Sequence, residues 1–232
     1  MKSAELEAKV KTLAETIEKL DAKLKTQTEI LEKLDARLQT AEDIEEIKKL
    51  QRKYGFYLTH WMGQEIVDLF SDSPDVSLEM SVGKFLGKEG IKNFYLARKP
   101  NPELLSAIMQ LSGVVDVDSD GKMAKGRWFG YGFEAMPVEK GVYAQSPLGI
   151  YENEYVKEGG KWKFKRITWS HLIFCAFGEC WVKPGRLIPK PDPWIMPYKP
   201  DVQKTTYDEK YPIRYPSSRT LPFHYKHPVT GK

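Results

Sequence analysis

Lys53-Tyr54-Gly55-Phe56-Tyr57-Leu58-Thr59-His60-Trp61 closes the helix that opens the stretch Ile44 to Phe94. The stretch then runs through a short strand to Gly87-Lys88-Glu89-Gly90-Ile91-Lys92-Asn93-Phe94. Tyr54, Tyr57, His60 and Trp61 stand three and four positions apart, a spacing that puts side chains on one face of a helix. An apolar helix face that also carries Tyr and His suits a small enclosed reaction pocket. The stretch therefore predicts chemistry on an apolar small molecule.

Upstream, Leu6, Val10, Leu13, Ile17, Leu20, Leu24, Gln27, Leu31, Leu34, Leu38 and Ala41 alternate spacings of four and three. That is a heptad seam flanked by Lys and Glu, and it predicts a coiled-coil helix over residues 1–42. Glu18-Lys19-Leu20-Asp21-Ala22-Lys23-Leu24 recurs as Glu32-Lys33-Leu34-Asp35-Ala36-Arg37-Leu38, two heptads on. A helix cannot bury such a stripe alone, so the seam predicts a homo-oligomer, dimer or trimer, or a helix folded back on its own domain. Gln27 is the polar seam residue that sets register or oligomer number in such assemblies.

Downstream, residues 43–183 read as an α+β domain. A helical turn at Gln64–Phe70 precedes a strand at Asp75–Met80 and a short helix at Gly87–Tyr95, with Glu103–Gln110 as a further helix. Strands follow at Gly113–Asp118, Met123–Ala135, Val142–Val156 and Trp162–Phe177, with Asp120-Gly121 and Gly159-Gly160 as hairpin punctuation. Helices first and antiparallel strands afterwards is the α+β order. Residues 184–232 hold ten of the fifteen prolines and seven aromatic side chains. Proline at that density excludes regular helix and central strand, and the aromatic content predicts an arm packed over its own domain or a neighbouring subunit.

Composition narrows the classes. The net charge of +4 is spread over interleaved acidic and basic residues, so no block of like charge marks a nucleic-acid partner. No window approaches a membrane span and no apolar leader opens the chain, which predicts a cytoplasmic protein. Cys175 and Cys180 lie in an apolar run with no His or carboxylate cluster around them, so they read as buried thiols and no metal site is expected. No phosphate loop or nucleotide fingerprint is present, because Gly126–Gly132 lies inside a strand-like run. No cofactor is expected.

Several blocks, in order, resemble the SnoaL-like branch of the nuclear transport factor 2-like superfamily. They are Asp43-Ile44-Glu45-Glu46-Ile47-Lys48-Lys49-Leu50 leading to Tyr54, Ile66-Val67-Asp68-Leu69-Phe70, Gly87-Lys88-Glu89-Gly90-Ile91 with Phe94, and Lys125-Gly126-Arg127-Trp128. Tyr151-Glu152-Asn153-Glu154-Tyr155-Val156 and Gly159-Gly160-Lys161-Trp162-Lys163-Phe164 complete the set. The resemblance implies a cone: a strongly curved sheet around helices, with a pocket opening into it. It also implies a choice among cofactor-free dehydratases such as bile acid 7α-dehydratase and scytalone dehydratase, formaldehyde-eliminating lyases acting on lignin dimers, isomerases, cyclases, and binding or assembly modules. In the dehydratases a Tyr on the first helix is followed five residues later by an Asp. Tyr54 matches, but Thr59 stands where the Asp belongs, and Gln110, Leu111 and Ser112 occupy the region of the family's catalytic His. A different acid–base set is required.

The candidates for that set are His60, with Tyr57 beside it, and His171, whose strand alternation puts Ile167, Trp169 and His171 on one side. Each also has an ordinary structural reading. Tyr54, Tyr131 and Tyr151 suit oxyanion stabilisation, and Arg127 with an inward Tyr131 would hold a phenolate; Arg127 paired to an outer-surface carboxylate is the alternative. Trp61, Thr59 and Trp169 complete a substrate-binding set. The expected function is a cofactor-independent lyase, eliminating water or a small fragment such as formaldehyde from an aromatic or polycyclic small molecule. A non-catalytic ligand-binding or assembly module is the alternative, and an isomerase or cyclase a third.

Overall fold

The computed structural model describes residues 2–80, 82–98, 100, 103–138, 141–176, 199–202 and 221–226. The chain divides into two units, Met1–Glu42 and Asp43–Lys232. Helix α1 (Lys2–Thr59) is continuous through the heptad repeat and the opening helix of the second unit. In the first unit Leu6, Val10, Leu13, Ile17, Leu20, Leu24, Leu31, Leu34 and Leu38 are each more than half exposed. No helix among the described residues is long and apolar enough to cross a membrane.

The second unit continues with α2 (Gly63–Asp68), β1 (Ser77–Met80), β2 (Gly83–Leu86), α3 (Gly87–Ala97), β3 (Leu105–Val117), β4 (Met123–Val138), β5 (Gly141–Glu158) and β6 (Lys161–Ala176). One six-stranded sheet has the order β2-β1-β6-β5-β4-β3. Neighbouring strands are antiparallel except β1 with β6, which run parallel. This is the cone: the curved sheet closes around α1 and α3. The expected helix at Glu103–Gln110 is instead the first half of β3, because Leu105–Leu111 pairs residue for residue with β4. Pairing with a long neighbouring strand overrode local helix propensity.

Asp43, Ile47, Leu50, Gln51 and Tyr54 form the inward face of α1, at helical spacing. Asp43 ties α1 to the β5–β6 hairpin, its Oδ1 accepting from Trp162 Nε1 at 2.8 Å and Lys157 Nζ at 2.6 Å. Glycines let large rings lie flat against the sheet. A Cβ on Gly130 or Gly149 would stand about 2.5 Å or less from the Trp169 indole, and one on Gly113 would enter the Trp128 ring. The β3 register shifts between Leu111 and Val114, at the point where Trp128 needs that room.

The sheet's other face carries Arg127, Phe129, Tyr131 and Phe133, and the last three are partly exposed. Residues 221–226 dock there: Arg127 Nη1 donates to the Leu221 and Pro222 carbonyls at 3.0 and 3.2 Å and pairs with Glu152 at 2.7 Å. His224 reaches Glu152 with Nδ1 and Asp116 with Nε2. Residues 199–202 extend the β2 edge through the Lys84–Val202 bridge. The rest of the proline-rich segment, Cys180, His227 and the Cys175 side chain lie outside the described residues.

Candidate functional site

The cone interior is built from neutral hydrogen-bonding groups set among aromatic rings. α1 contributes Tyr54, and α3 contributes Tyr95, one position beyond the Ile91–Phe94 pair that faces the core. Their hydroxyls meet at 3.0 Å. Tyr151 on β5 lies edge-on to Tyr54, with ring centroids 6.0 Å apart. Burial, and secondarily the neighbouring hydroxyl, holds the Tyr54 proton well above the usual tyrosine range. Burial does the same for Tyr95. For Tyr151 burial acts first, with Tyr54 and the Glu134 carboxylate adding to it. These hydroxyls are permanent donors at any physiological pH, not bases.

The network continues through Gln51. Gln51 Nε2 donates to Gln110 Oε1 at 2.7 Å, while Gln51 Oε1 accepts from Asn153 Nδ2 at 3.0 Å and the Tyr155 hydroxyl at 2.8 Å. Trp128 Nε1 donates to that same hydroxyl at 2.9 Å. Buried polar groups satisfied in this way rigidify a core. Gln110 thus sits in the interior, and its amide cannot move protons.

Across the sheet, Gln110, Gly130, Gly149 and His171 form one row, each the register partner of the next. Trp169 Nε1 donates to His171 Nε2 at 3.1 Å. An indole nitrogen can only donate, so the neutral imidazole keeps its proton on Nδ1. Burial pushes the His171 pKa down to about 4, which leaves the ring neutral at physiological pH.

On β4, Glu134 shares the inward parity of Trp128. Its carboxylate accepts from Gln145 Nε2 at 2.5 Å and from Ser106 Oγ at 3.3 Å. Beside Ser106 a cavity of about 30 Å³ is lined by Leu58, Trp61, Tyr95 and Arg98. The Arg98 guanidinium lies over the Trp61 ring, 4.8 Å from its centroid. Trp61 itself is left-handed, with φ 57°, a conformation costing an L-residue roughly 1–2 kcal/mol.

Of the residues singled out in the sequence, Tyr54, Tyr151, Trp169 and His171 come together in the interior, and Trp61 stands at its mouth. Five others do not join them. His60 is exposed and its Nδ1 lies 2.7 Å from the Phe56 carbonyl, because α1 ends at Thr59 and the chain turns at Trp61. Tyr57 is only half-buried against the core, so its shared face with His60 is lost at the helix end. Thr59 faces a groove between α1 and β3 and bonds back to the Gly55 carbonyl. Arg127 and Tyr131 lie on the opposite face of the sheet, where Arg127 pairs with Glu152 as the outer-surface alternative had it. Sequence reading passed over Tyr95, Gln51, Arg98 and Glu134. For Glu134 a signal existed: a carboxylate at the strand parity of buried Trp128.

A family model described as a SnoaL-like domain matches residues 39–168. No curated protein matches the chain. Among solved structures, a candidate scytalone dehydratase of Novosphingobium aromaticivorans aligns at TM-score 0.50 and 17% identity, over 68% of this chain and 99% of that one. The crystal structure of LinA aligns at TM-score 0.50 and 14% identity, over 66% of this chain and 99% of that one. Both are similarities of fold.

Proposed function

This chain belongs to the SnoaL-like family, and on that premise we propose that it is a cofactor-independent lyase acting on an aromatic small molecule bound inside the cone. The observation that carries the reading is the meeting of the Tyr54 and Tyr95 hydroxyls, with the Tyr151 ring edge-on beside them, among aromatic side chains. Permanently protonated donors in a dry site stabilise an oxyanion as it develops on a phenol or enol. The Nδ1–H of neutral His171 belongs to the same class of donor, because a ring with pKa about 4 neither carries a charge nor needs to lose one.

Glu134 is then the group that moves the proton. It takes a C–H proton from the substrate, the C=C bond forms, and the departing hydroxyl leaves as water with that same proton. If formaldehyde is also lost, Glu134 takes the proton of the terminal hydroxyl, the C–C bond to that carbon breaks, its electron pair forms the C=C bond, and the hydroxyl on the adjacent benzylic carbon departs as water with that proton. Incubation with 1,2-diarylpropane-1,3-diols, without added cofactor, tests this by mass spectrometry. A product lighter by water, or by water and formaldehyde together, lost in Glu134→Gln, is expected. No turnover, with no aromatic ligand bound in the cone, removes the enzyme reading.

The exposed heptad stripe of the first unit favours a second property. We propose that the chain self-associates as a dimer or trimer through that stripe, because each of its leucines is more than half exposed. Should the cone bind nothing, this association would be the functional element, and the protein an assembly module.

A further inference from the structure

Arg98 has an unusual position. It is half-buried at the end of α3, its Nε is buried with no hydrogen-bond partner, and among the described residues it forms no ion pair. Guanidinium groups so enclosed are ordinarily matched to a carboxylate. The guanidinium of Arg98 lies over the Trp61 ring, 4.8 Å from the centroid. Glu134, reached by Ser106 of the cavity wall, already accepts from Ser106 and Gln145.

We infer that Arg98 and Trp61 form a subsite for the carboxylate of an aromatic acid, with Ser106 on the facing wall of the cavity. The inference rests on the cone being the aromatic pocket proposed above, and it narrows the substrate class to anionic aromatics. Arg suits this task because its planar fork matches a carboxylate with two parallel N–H···O bonds. Stacking on Trp61 fixes the plane of the fork and leaves its edge for the ligand. Trp61, in turn, is turned into place by its left-handed backbone at the end of α1.

The test uses the full chain and two probes of one shape, cinnamate and cinnamyl alcohol, with affinities measured by calorimetry. Cinnamate should bind roughly tenfold tighter or more, as a charge-assisted pair implies. Arg98→Gln should erase that preference while the alcohol binds as before. Arg98→Lys keeps the charge without the planar fork and should keep only part of the preference, which preserves the test if Arg98→Gln does not fold. Equal binding of the two probes to the native protein, or an undiminished preference in Arg98→Gln, overturns the subsite. If neither probe binds, the aromatic-pocket reading itself falls.

Discussion

The hydroxyls of Tyr54 and Tyr95 meet at 3.0 Å, joining α1 to α3 inside the cone. Either phenylalanine substitution leaves the other buried hydroxyl short of a partner, at a cost of about 1–3 kcal/mol. Tyr54→Phe should therefore lower stability in urea by that order. If the hydroxyl is an oxyanion donor, kcat should also fall by about 10²–10³. A fall in stability with unchanged kcat would assign the pair to the core alone.

His171 supplies a pH dependence with a definite sign. Its folded pKa of about 4 lies below the ordinary histidine value of 6.5. Between those values the unfolded chain binds a proton that the folded chain does not, so stability falls as pH drops from about 6.5 toward 4. The shift corresponds to about 3 kcal/mol at most. Urea titrations at pH 7 and pH 5 should show a smaller loss in His171→Asn than in the native protein. Equal losses would mean that the imidazole is not held neutral by the fold.

Gly130 tests how tightly the interior is built. Its added Cβ would meet Trp169 Cζ3 at 2.5 Å, and the Tyr151 ring at 2.8 Å. Overpacking of this kind costs typically about 1–3 kcal/mol. Gly130→Ala should be destabilised by that order and should alter near-ultraviolet circular dichroism through Trp169. Gly159→Ala is a contrasting case, since nothing lies within 4 Å of its Cβ and its φ of 55° alone resists substitution. A Gly130→Ala variant more stable than Gly159→Ala would contradict the packing described.

The cone was legible because its helical spacing, hairpin glycines and family blocks agree. The site was only half legible, and β4 explains why. Alternation correctly separates Trp128, Gly130, Gly132 and Glu134 from Arg127, Phe129, Tyr131 and Phe133. Both sets are rich in large or glycine residues, so parity alone does not say which faces inward. The exposed set is the more aromatic one, which is how Arg127 and Tyr131 came to be expected in the pocket. For His60 the limit is different: the three-residue spacing from Tyr57 holds only while the helix lasts, and it ends at Thr59. Arg98 had no sequence signal, since its meaning comes from Trp61 across the mouth.

The seam of α1 makes the last prediction. Leu20 and Leu34 are 60% and 51% exposed, so replacing them disturbs little packing among the described residues. An Asp at each puts charge into the centre of any seam that buries them, where charge is strongly disfavoured. Light scattering should give the native protein a mass of two or three times 26.7 kDa. The Leu20→Asp, Leu34→Asp double variant should fall to a single chain while keeping the native thermal transition of the second unit. A truncation beginning at Asp43 should do the same, because it retains the carboxylate that accepts from Trp162 and Lys157. A native mass of one chain would show the stripe unpartnered, and an oligomer that survives both changes would place the association on another surface.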